Sequence, residues 1–219
     1  KMLIKGVPIQ HITHRQEFMK LSFYVDENVL IPRPDTEILV EEAISICKKN
    51  NYTKILDLCT GSGAIAVSLA KYLEDVDITA VDISNNALKI AKRNARSNKV
   101  EEKITFIESD LFDNLSKNKY DIIVSNPPYI KKEEIKNLDK EVKKEPLLAL
   151  DGGIDGLDFY RKISQNAFKY LNNKGILCLE IGFNQKEEVI NLLEKEGKYR
   201  SIYCKKDLGQ NDRVIIAQY

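Results

Sequence analysis

Short apolar runs rich in β-branched residues alternate along this chain with longer segments whose apolar residues recur at helical spacing. The short runs predict strands, at residues 54–59, 78–81, 103–108, 120–125, 175–182, 199–205 and 213–217. The longer segments predict helices, one beginning at Pro34 and the others at residues 64–73, 86–98, 157–171 and 185–196. Such alternation is typical of an α/β domain built on a mostly parallel sheet.

The last two predicted strands are joined differently from the others. Residues 207–212, which separate them, are too few for a helical crossover, so these two strands must run antiparallel to each other. We therefore predict a mostly parallel seven-stranded sheet with one antiparallel strand.

Residues 8–32 precede the first helix of this pattern and do not fit it. The aromatic and β-branched bias of residues 18–25 predicts a strand, and residues 26–28 predict a turn before a second short strand. We expect a β-hairpin arm over residues 1–33, serving as a lid or platform, and one main domain over residues 34–219.

A glycine-containing turn joins the first strand of the sheet to an apolar helix, and its residues are Cys59, Thr60, Gly61, Ser62 and Gly63. Glycines in such a turn let backbone N–H groups approach a ligand without obstruction by side chains. Asp82 ends the next strand about 20 residues later, where a carboxylate suits ribose hydroxyls. The same spacing fits a dinucleotide fingerprint, so these residues alone leave two classes of nucleotide cofactor open.

Asp110 and Leu111 follow the third predicted strand of the sheet. A carboxylate there could accept a hydrogen bond from an adenine amino group while the leucine packs on the ring. The alternative is that Asp110 merely caps the loop. We favour the adenine role because it completes the pattern begun by Gly61 and Asp82.

The tetrapeptide Asn126-Pro127-Pro128-Tyr129 directly follows the predicted strand 120–125. The two prolines fix the backbone in one path and remove two donors, so we expect outward-facing carbonyl groups. Asn126 adds a side-chain acceptor and Tyr129 a flat aromatic face. Together they could bind a planar NH2 group, with two acceptors for its hydrogens and a ring against its plane. A simple turn is the alternative for Asn-Pro taken alone.

This tetrapeptide resembles the signature of methyltransferases that use S-adenosylmethionine (SAM) to methylate adenine N6, cytosine N4 or the glutamine amide. It decides between a nicotinamide cofactor and SAM, because hydride transfer needs no rigid slot for an amide. A parallel sheet that closes with an antiparallel strand is also what the Rossmann-like class of SAM-dependent methyltransferases shows.

Arg33 lies between Pro32 and Pro34 and is therefore rigidly held. It could contact the carboxylate of a cofactor or the substrate. A surface ion pair is an equally good interpretation, so both stay open here.

Composition limits the remaining choices. The 34 Lys and Arg residues against 33 Asp and Glu give a formal net charge of +1, which counts against a nucleic-acid partner. The four cysteines are too far apart for a metal-binding pair, so we expect no metal site and a reducing cytoplasmic compartment. No apolar run approaches the roughly 20 residues that cross a bilayer, so we expect no membrane segment.

Several further motifs give the chain a closer resemblance, to the HemK/PrmC family of protein-(glutamine-N5) methyltransferases that modify peptide chain release factors. The resemblance covers nearly all of the chain. It rests on Pro8, Gln10 and Phe18 in the arm and on residues 30–37, 57–63, 126–129, 145–146, 152–157, 209 and 212–213. The Pro-Arg-Pro segment combined with the tetrapeptide is more specific than either glycine motif.

The resemblance implies a SAM-dependent N-methyltransferase whose products are a methylated glutamine and S-adenosylhomocysteine. It implies that SAM is bound by Cys59 to Gly63, Asp82, Leu111 and Asn126, as well as Asp110 if the adenine role holds. It further implies that residues Asn126 to Tyr129 hold the glutamine of the Gly-Gly-Gln loop of a release factor. Family members also carry a helical amino-terminal domain, which is absent from this sequence, so we expect docking by this chain alone to be weak.

Two other functions stay open. A nucleic-acid amino-methyltransferase, of the adenine N6 type, shares the same slot but needs a basic groove that the sequence does not reveal. A non-catalytic protein with a relict SAM fold would bind a partner and transfer no methyl group.

Overall fold

The computed structural model describes residues 6–219. Its strands are β1 (Gln16–Phe18), β2 (Leu21–Phe23), β3 (Lys54–Leu58), β4 (Asp77–Asp82), β5 (Ile104–Glu108), β6 (Tyr120–Ser125), β7 (Leu171–Glu180), β8 (Ser201–Lys206) and β9 (Asp212–Gln218). Its α-helices are α1 (Ile9–Thr13), α2 (Pro34–Asn50), α3 (Ala64–Tyr72), α4 (Asn85–Ser97), α5 (Asp158–Asn166) and α6 (Lys186–Lys195). The part of the predicted arm before Gly6 lies outside the described residues.

Strands β3 to β9 form one seven-stranded sheet in the order β5, β4, β3, β6, β7, β9, β8. All neighbouring pairs from β5 to β7 are parallel, whereas β9 runs antiparallel to both β7 and β8. The predicted sheet, with its single antiparallel strand, is confirmed. Because the chain order reverses between β3 and β6, the carboxyl ends of these strands flank a crevice where such sheets bind ligands.

Helices cover both faces of the sheet. Buried residues of α2, α3 and α4 pack with Ile55, Val124 and Cys178 on one face, and those of α5 and α6 pack with Ile123 and Leu179 on the other. Pro34 begins α2, where a missing N–H costs nothing, and acidic residues in the first turn complement the helix dipole. The predicted buried stripe of this helix is confirmed, at Leu39, Ala43 and Ile46.

The amino-terminal hairpin turns at a place that the sequence did not predict. Residues 18–25 were expected to form one strand, but Met19 and Lys20 have left-handed φ values of 50° and 57° and form the two-residue turn between β1 and β2. Left-handed backbone costs about 1–2 kcal/mol per residue. Tertiary contacts offset this cost, because Met19 N–H donates to Glu37 at 2.6 Å and Met19 C=O accepts from Tyr72 at 2.5 Å.

The helix predicted over residues 157–171 is also too long. Helix α5 ends at Asn166, and Leu171 is already paired with Tyr120 in the sheet. The apolar residues Tyr160, Ile163, Ala167 and Leu171 keep helical spacing and are all buried, which explains the wrong boundary. Among residues 6–219, no helix combines the length and the apolar character that crossing a bilayer requires.

Candidate active site

A cleft of about 980 Å³, including space open to solvent, lies at the carboxyl ends of β3, β4, β5 and β6. A volume of this order suits a nucleotide-sized ligand. The structure brings most of the predicted site residues to this cleft, namely Arg33, Cys59, Thr60, Gly61, Ser62, Asp82, Asp110, Leu111, Asn126 and Pro128. Gly63, Pro127 and Tyr129 do not line it.

The turn after β3 depends on two glycines for different reasons. Gly61 has a φ of 54° and no heavy atom within 4 Å of the place where a Cβ would stand, so its open side faces the cleft. Gly63 has a φ of 80°, and a Cβ there would come within 3.0 Å of the Ala91 side chain. Gly63 therefore permits close packing of the turn against α4, while Gly61 leaves room for a ligand.

A buried carboxyl group, which the sequence analysis did not single out, supports this turn. Asp57 Oδ2 accepts hydrogen bonds from Thr60 Oγ1 at 2.7 Å and from the Ala66 N–H at 3.2 Å. Asp57 is fully buried, and this burial raises its pKa to about 7. The signal in the sequence was an acidic residue within an apolar strand, which is costly unless it bonds to the backbone.

Asp82 holds the opposite side of the turn. Its Oδ2 accepts from the Gly61 N–H at 2.8 Å and its Oδ1 accepts from the Ser84 N–H at 2.9 Å. Burial raises the pKa of Asp82, although these backbone N–H groups oppose the rise. A carboxylate offers about four lone-pair sites, so Asp82 keeps acceptors available toward the cleft. Ser84 caps α4 as expected, because its Oγ accepts from the Ala87 N–H at 3.2 Å.

Asp110 and Leu111 form the wall of the cleft beyond β5. Leu111 has a left-handed φ of 49° and is buried, which places an apolar side chain at this wall. Asp110 is partly exposed, and its Oδ2 lies 3.3 Å from Lys162 Nζ.

Asn126 leaves β6 with its side chain turned toward helix α2. Its Nδ2 donates to Thr36 Oγ1 at 3.2 Å, which leaves Oδ1 as the free acceptor of the amide. Among residues 6–219, no hydrogen bond reaches the Pro127 carbonyl, so its lone pairs are unpaired within this part of the chain. The Tyr129 carbonyl differs, since it accepts from Gln185 Nε2 at 3.1 Å.

The Tyr129 ring packs against the core on the α5 side of the sheet. Burial raises the pKa of its hydroxyl to about 12. Residues 152–156 pack closely against the backbone of Tyr129, and two glycines make this possible. A Cβ on Gly152 would lie 2.7 Å from Tyr129 Cα, and a Cβ on Gly156 would lie 2.5 Å from the Tyr129 carbonyl oxygen. Gln185 joins the two segments by donating also to the Gly156 carbonyl at 3.2 Å.

Arg33 forms an ion pair with Glu145, whose side chain is only 1% exposed. The second oxygen of Glu145 accepts from the Ile31 N–H at 2.8 Å. The ion pair therefore ties the segment before α2 to the loop that carries Pro146 and Leu148, and both segments line the cleft. Arg33 itself is partly exposed in the cleft wall.

Glu180 is a second buried carboxyl group that the sequence analysis missed. It ends β7, is 2% exposed, and its Oε2 has no hydrogen-bond partner among the described residues. Burial raises its pKa to about 7, against the opposing effects of Thr36, Arg213 and Asn126. The signal was again an acidic residue at the end of an apolar strand.

Comparison with known proteins identifies the family. Residues 35–147 match the family described as the methyltransferase small domain. Over 216 residues, the chain is 47% identical to the release factor glutamine methyltransferase of Clostridium acetobutylicum, covering 97% of this chain and 75% of that relative. The chain belongs to the release factor glutamine methyltransferase family. The relative from Fusobacterium nucleatum subsp. nucleatum is 46% identical, and there the match covers 98% of this chain and 60% of the relative.

A solved structure supports the fold of this release factor glutamine methyltransferase family member. A methyltransferase from Pyrococcus furiosus superposes with a TM-score of 0.64 at 18% identity, over 99% of this chain and 95% of that one. Identity this low speaks for the fold alone.

The SAM cofactor of the release factor glutamine methyltransferase family fits the residues of this cleft. Gly61 leaves open space where any other residue would place a side chain, and the Asp82 carboxylate stands beside it with free lone pairs. Ile83 and Leu111 add apolar surface suited to a purine ring. The cleft thus offers a carboxylate that can accept hydrogen bonds from ribose hydroxyls and an apolar surface on which a base can pack.

Proposed function

We propose that this chain transfers a methyl group from SAM to the side-chain amide nitrogen of the glutamine in the Gly-Gly-Gln motif of peptide chain release factors. The observation that carries the proposal is that Asn126 and Gly61 line the same cleft. An amide-binding side chain therefore stands beside a turn suited to the cofactor. The names of the two relatives support the same substrate.

We assign cofactor binding to Cys59, Thr60, Gly61, Ser62, Gly63, Asp82, Asp110, Leu111 and Asn126. Asp82 would accept from the ribose hydroxyls, and Asp110 would accept from the adenine amino group while Leu111 packs on the ring. When bound, SAM would supply a methyl group on a positively charged sulfur; transfer of this group to the amide nitrogen would leave S-adenosylhomocysteine and one proton, which passes to solvent.

The chemical difficulty is the nucleophile, because the lone pair of an amide nitrogen is delocalised into its carbonyl. Asn126 Oδ1 and the Pro127 carbonyl would accept the two N–H hydrogens of the glutamine and so draw electron density onto the nitrogen. Their positions are fixed before the substrate arrives, since the two prolines restrict the backbone. Positioning and electrostatics would then carry most of the rate acceleration.

We assign the remaining contacts with the glutamine and its loop to Pro128, Tyr129 and Arg33. Tyr129 lies away from the cofactor cleft, so its ring would meet the glutamine plane from the other side of the tetrapeptide. We further treat residues 34–219 as the methyltransferase domain and residues 1–33 as its arm. The reaction belongs in the cytoplasm, where peptide chain release takes place.

Mass spectrometry of a release factor incubated with SAM and this protein tests the proposal. We expect the mass of one methyl group on the peptide that contains the Gly-Gly-Gln motif. A release factor whose motif glutamine is replaced by glutamate is the matched control and should stay unmodified.

Two results would contradict the proposed function. Methylation of an oligonucleotide but not of the release factor would select the nucleic-acid alternative. Absence of transfer to either substrate, with SAM binding intact by calorimetry, would select a non-catalytic protein.

A further inference from the structure

Glu180 lies near Asn126 at the carboxyl ends of β7 and β6. In the parallel pair β6 and β7, Ser125 is the register partner of Leu179, so the next residues of the two strands stand side by side. Side chains alternate between the two faces of a sheet, and Val124 and Cys178, two residues earlier in each strand, both pack on the α2 side. Asn126 and Glu180 therefore both point toward α2, where Thr36 lies in the first turn.

Within residues 6–219, the buried Glu180 carboxyl group forms no ion pair. Arg213 forms its ion pairs with Asp207 at 3.0 Å and with Asp35 at 3.1 Å, and Glu180 is not among its ion-pair partners. The Tyr160 hydroxyl donates to the backbone carbonyl of Glu180 at 2.9 Å and leaves the carboxyl group free. A carboxyl group buried without a full set of partners is costly and marks a candidate functional position.

Resting on the proposed function, we propose that Thr36 and Glu180 are positioning residues, which hold the Asn126 amide with NH2 inward and Oδ1 toward the glutamine. A hydroxyl oxygen and a carboxylate are both acceptors, so together they select the NH2 end of the Asn126 amide. The Thr36 hydroxyl accepts from Asn126 and is free to direct its own hydrogen at Glu180. A negative charge near NH2 also makes Oδ1 a stronger acceptor.

Protonation of Glu180 would weaken this selection, because a neutral carboxyl group can donate as well as accept. The Asn126 amide could then rotate and turn its NH2 group toward the substrate, where an acceptor is needed. The charged and titratable groups that face Glu180 are Asp35 on α2, Arg213 on β9, Tyr129 after β6 and Tyr160 on α5. Of these, neither tyrosine changes charge near neutral pH, because burial raises both pKa values above the usual range.

The first test observes the Asn126 side chain itself, in the protein without SAM or substrate. Its 1H–15N side-chain signals are assigned by their loss in Asn126→Ala and followed from about pH 5.5 to 8.5. We expect a titration of these signals that disappears in Glu180→Gln. Signals that stay constant over this range in the wild-type protein and keep the same chemical shifts in Glu180→Gln and Thr36→Val would overturn the inference.

The second test measures methyl transfer to the release factor at saturating SAM. Thr36→Val keeps the shape of the side chain, and Glu180→Gln keeps its size but removes the charge. We expect each change to lower kcat about tenfold, the effect of one lost hydrogen bond, and Glu180→Gln to abolish the acid limb of kcat/KM. Ser68→Ala is the control, because Ser68 is equally buried but lies in α3 away from the cleft.

A purely structural role predicts a different outcome, with lower thermal stability and an unchanged pH profile. Values of kcat within twofold of wild type in Thr36→Val, or an acid limb retained in Glu180→Gln, would overturn the inference. If Glu180→Gln does not fold, the Asn126 signals and the kcat of Thr36→Val still test the inference. A wild-type protein that fails to methylate the release factor would instead contradict the proposed function.

Discussion

The backbone N–H of Gly61 donates a hydrogen bond of 2.8 Å to Asp82 Oδ2, across 21 residues of sequence. These residues stand at the carboxyl ends of the adjacent strands β3 and β4. One carboxylate therefore fixes the shape of the glycine turn and at the same time faces the cleft. The cofactor site is organised by this contact before any ligand binds.

Replacement of Asp82 by Asn should mainly weaken SAM binding. Asparagine keeps one acceptor but loses the charge, and hydrogen bonds to charged groups contribute about 1.5–3 kcal/mol. We expect the Kd for SAM to rise about 10- to 100-fold by calorimetry. Asp75→Asn, at an exposed position, is the control and should leave the Kd unchanged. An unchanged Kd in Asp82→Asn would remove Asp82 from the ribose role.

Asp57 should make the stability of the fold depend on pH. Its pKa rises from 3.8 to about 7 on burial, so between these values the folded protein binds more protons than the unfolded chain. The contribution of Asp57 to the free energy of unfolding is therefore fully present below about pH 4 and falls, by a few kcal/mol, as the pH rises to 7.

Asn at this position has no charge to bury, so Asp57→Asn should gain stability relative to wild type over the same range. Denaturant unfolding of both proteins at pH 4 and at pH 7 measures the difference. A difference that is the same at both pH values would show that burial does not raise the pKa of Asp57.

The Arg33–Glu145 ion pair should stabilise the wall of the cleft. Loss of Arg33 would leave the buried Glu145 carboxylate with the Ile31 N–H as its remaining hydrogen-bond donor. Because the Arg33 side chain is 38% exposed, solvent screens part of the ion-pair interaction. A double-mutant cycle with Arg33→Met and Glu145→Gln should give a coupling energy of about 1–3 kcal/mol. A coupling energy near zero would mean that solvent screens the pair completely.

Gly156→Ala should displace Tyr129, the last residue of the tetrapeptide. The new Cβ would lie 2.5 Å from the Tyr129 carbonyl oxygen, at a φ of 78°. Overlap and backbone strain together should cost about 2–4 kcal/mol and lower methyl transfer. Gly197→Ala is the matched control, because Gly197 has a φ of 61° but open space around it. Equal losses in denaturant unfolding would exclude the overlap with Tyr129 as the cause.

The sequence predicted the parts of the fold that local pattern determines. The strands, the glycine turn, the Pro34 helix start and the Ser84 cap all follow from residue types within a few positions of each other. The hairpin turn at Met19 and Lys20 did not, because Glu37 and Tyr72, far along the chain, hold its left-handed backbone. The turn also contains neither Gly nor Asn, the residues that most readily adopt left-handed backbone.

The candidate site was predictable in its motifs but not in its supporting residues. Gly61, Asp82 and Asn126 could be proposed from their places after predicted strands. Asp57 and Glu180 could not, because their roles depend on which neighbours the sheet brings beside them. The assignment of each site residue to cofactor or substrate stays a prediction, open to the measurements above.

Methyl transfer by Asn126→Ala is the most direct test of the account, measured with the release factor alongside SAM binding by calorimetry. Loss of the acceptor should lower kcat about 100- to 1,000-fold, the effect of removing one group that stabilises a reacting centre. The fold should be retained and SAM binding should stay measurable, whereas the control Asn50→Ala, at the exposed end of α2, should match wild type in both. Turnover by Asn126→Ala near the wild-type rate would contradict the account.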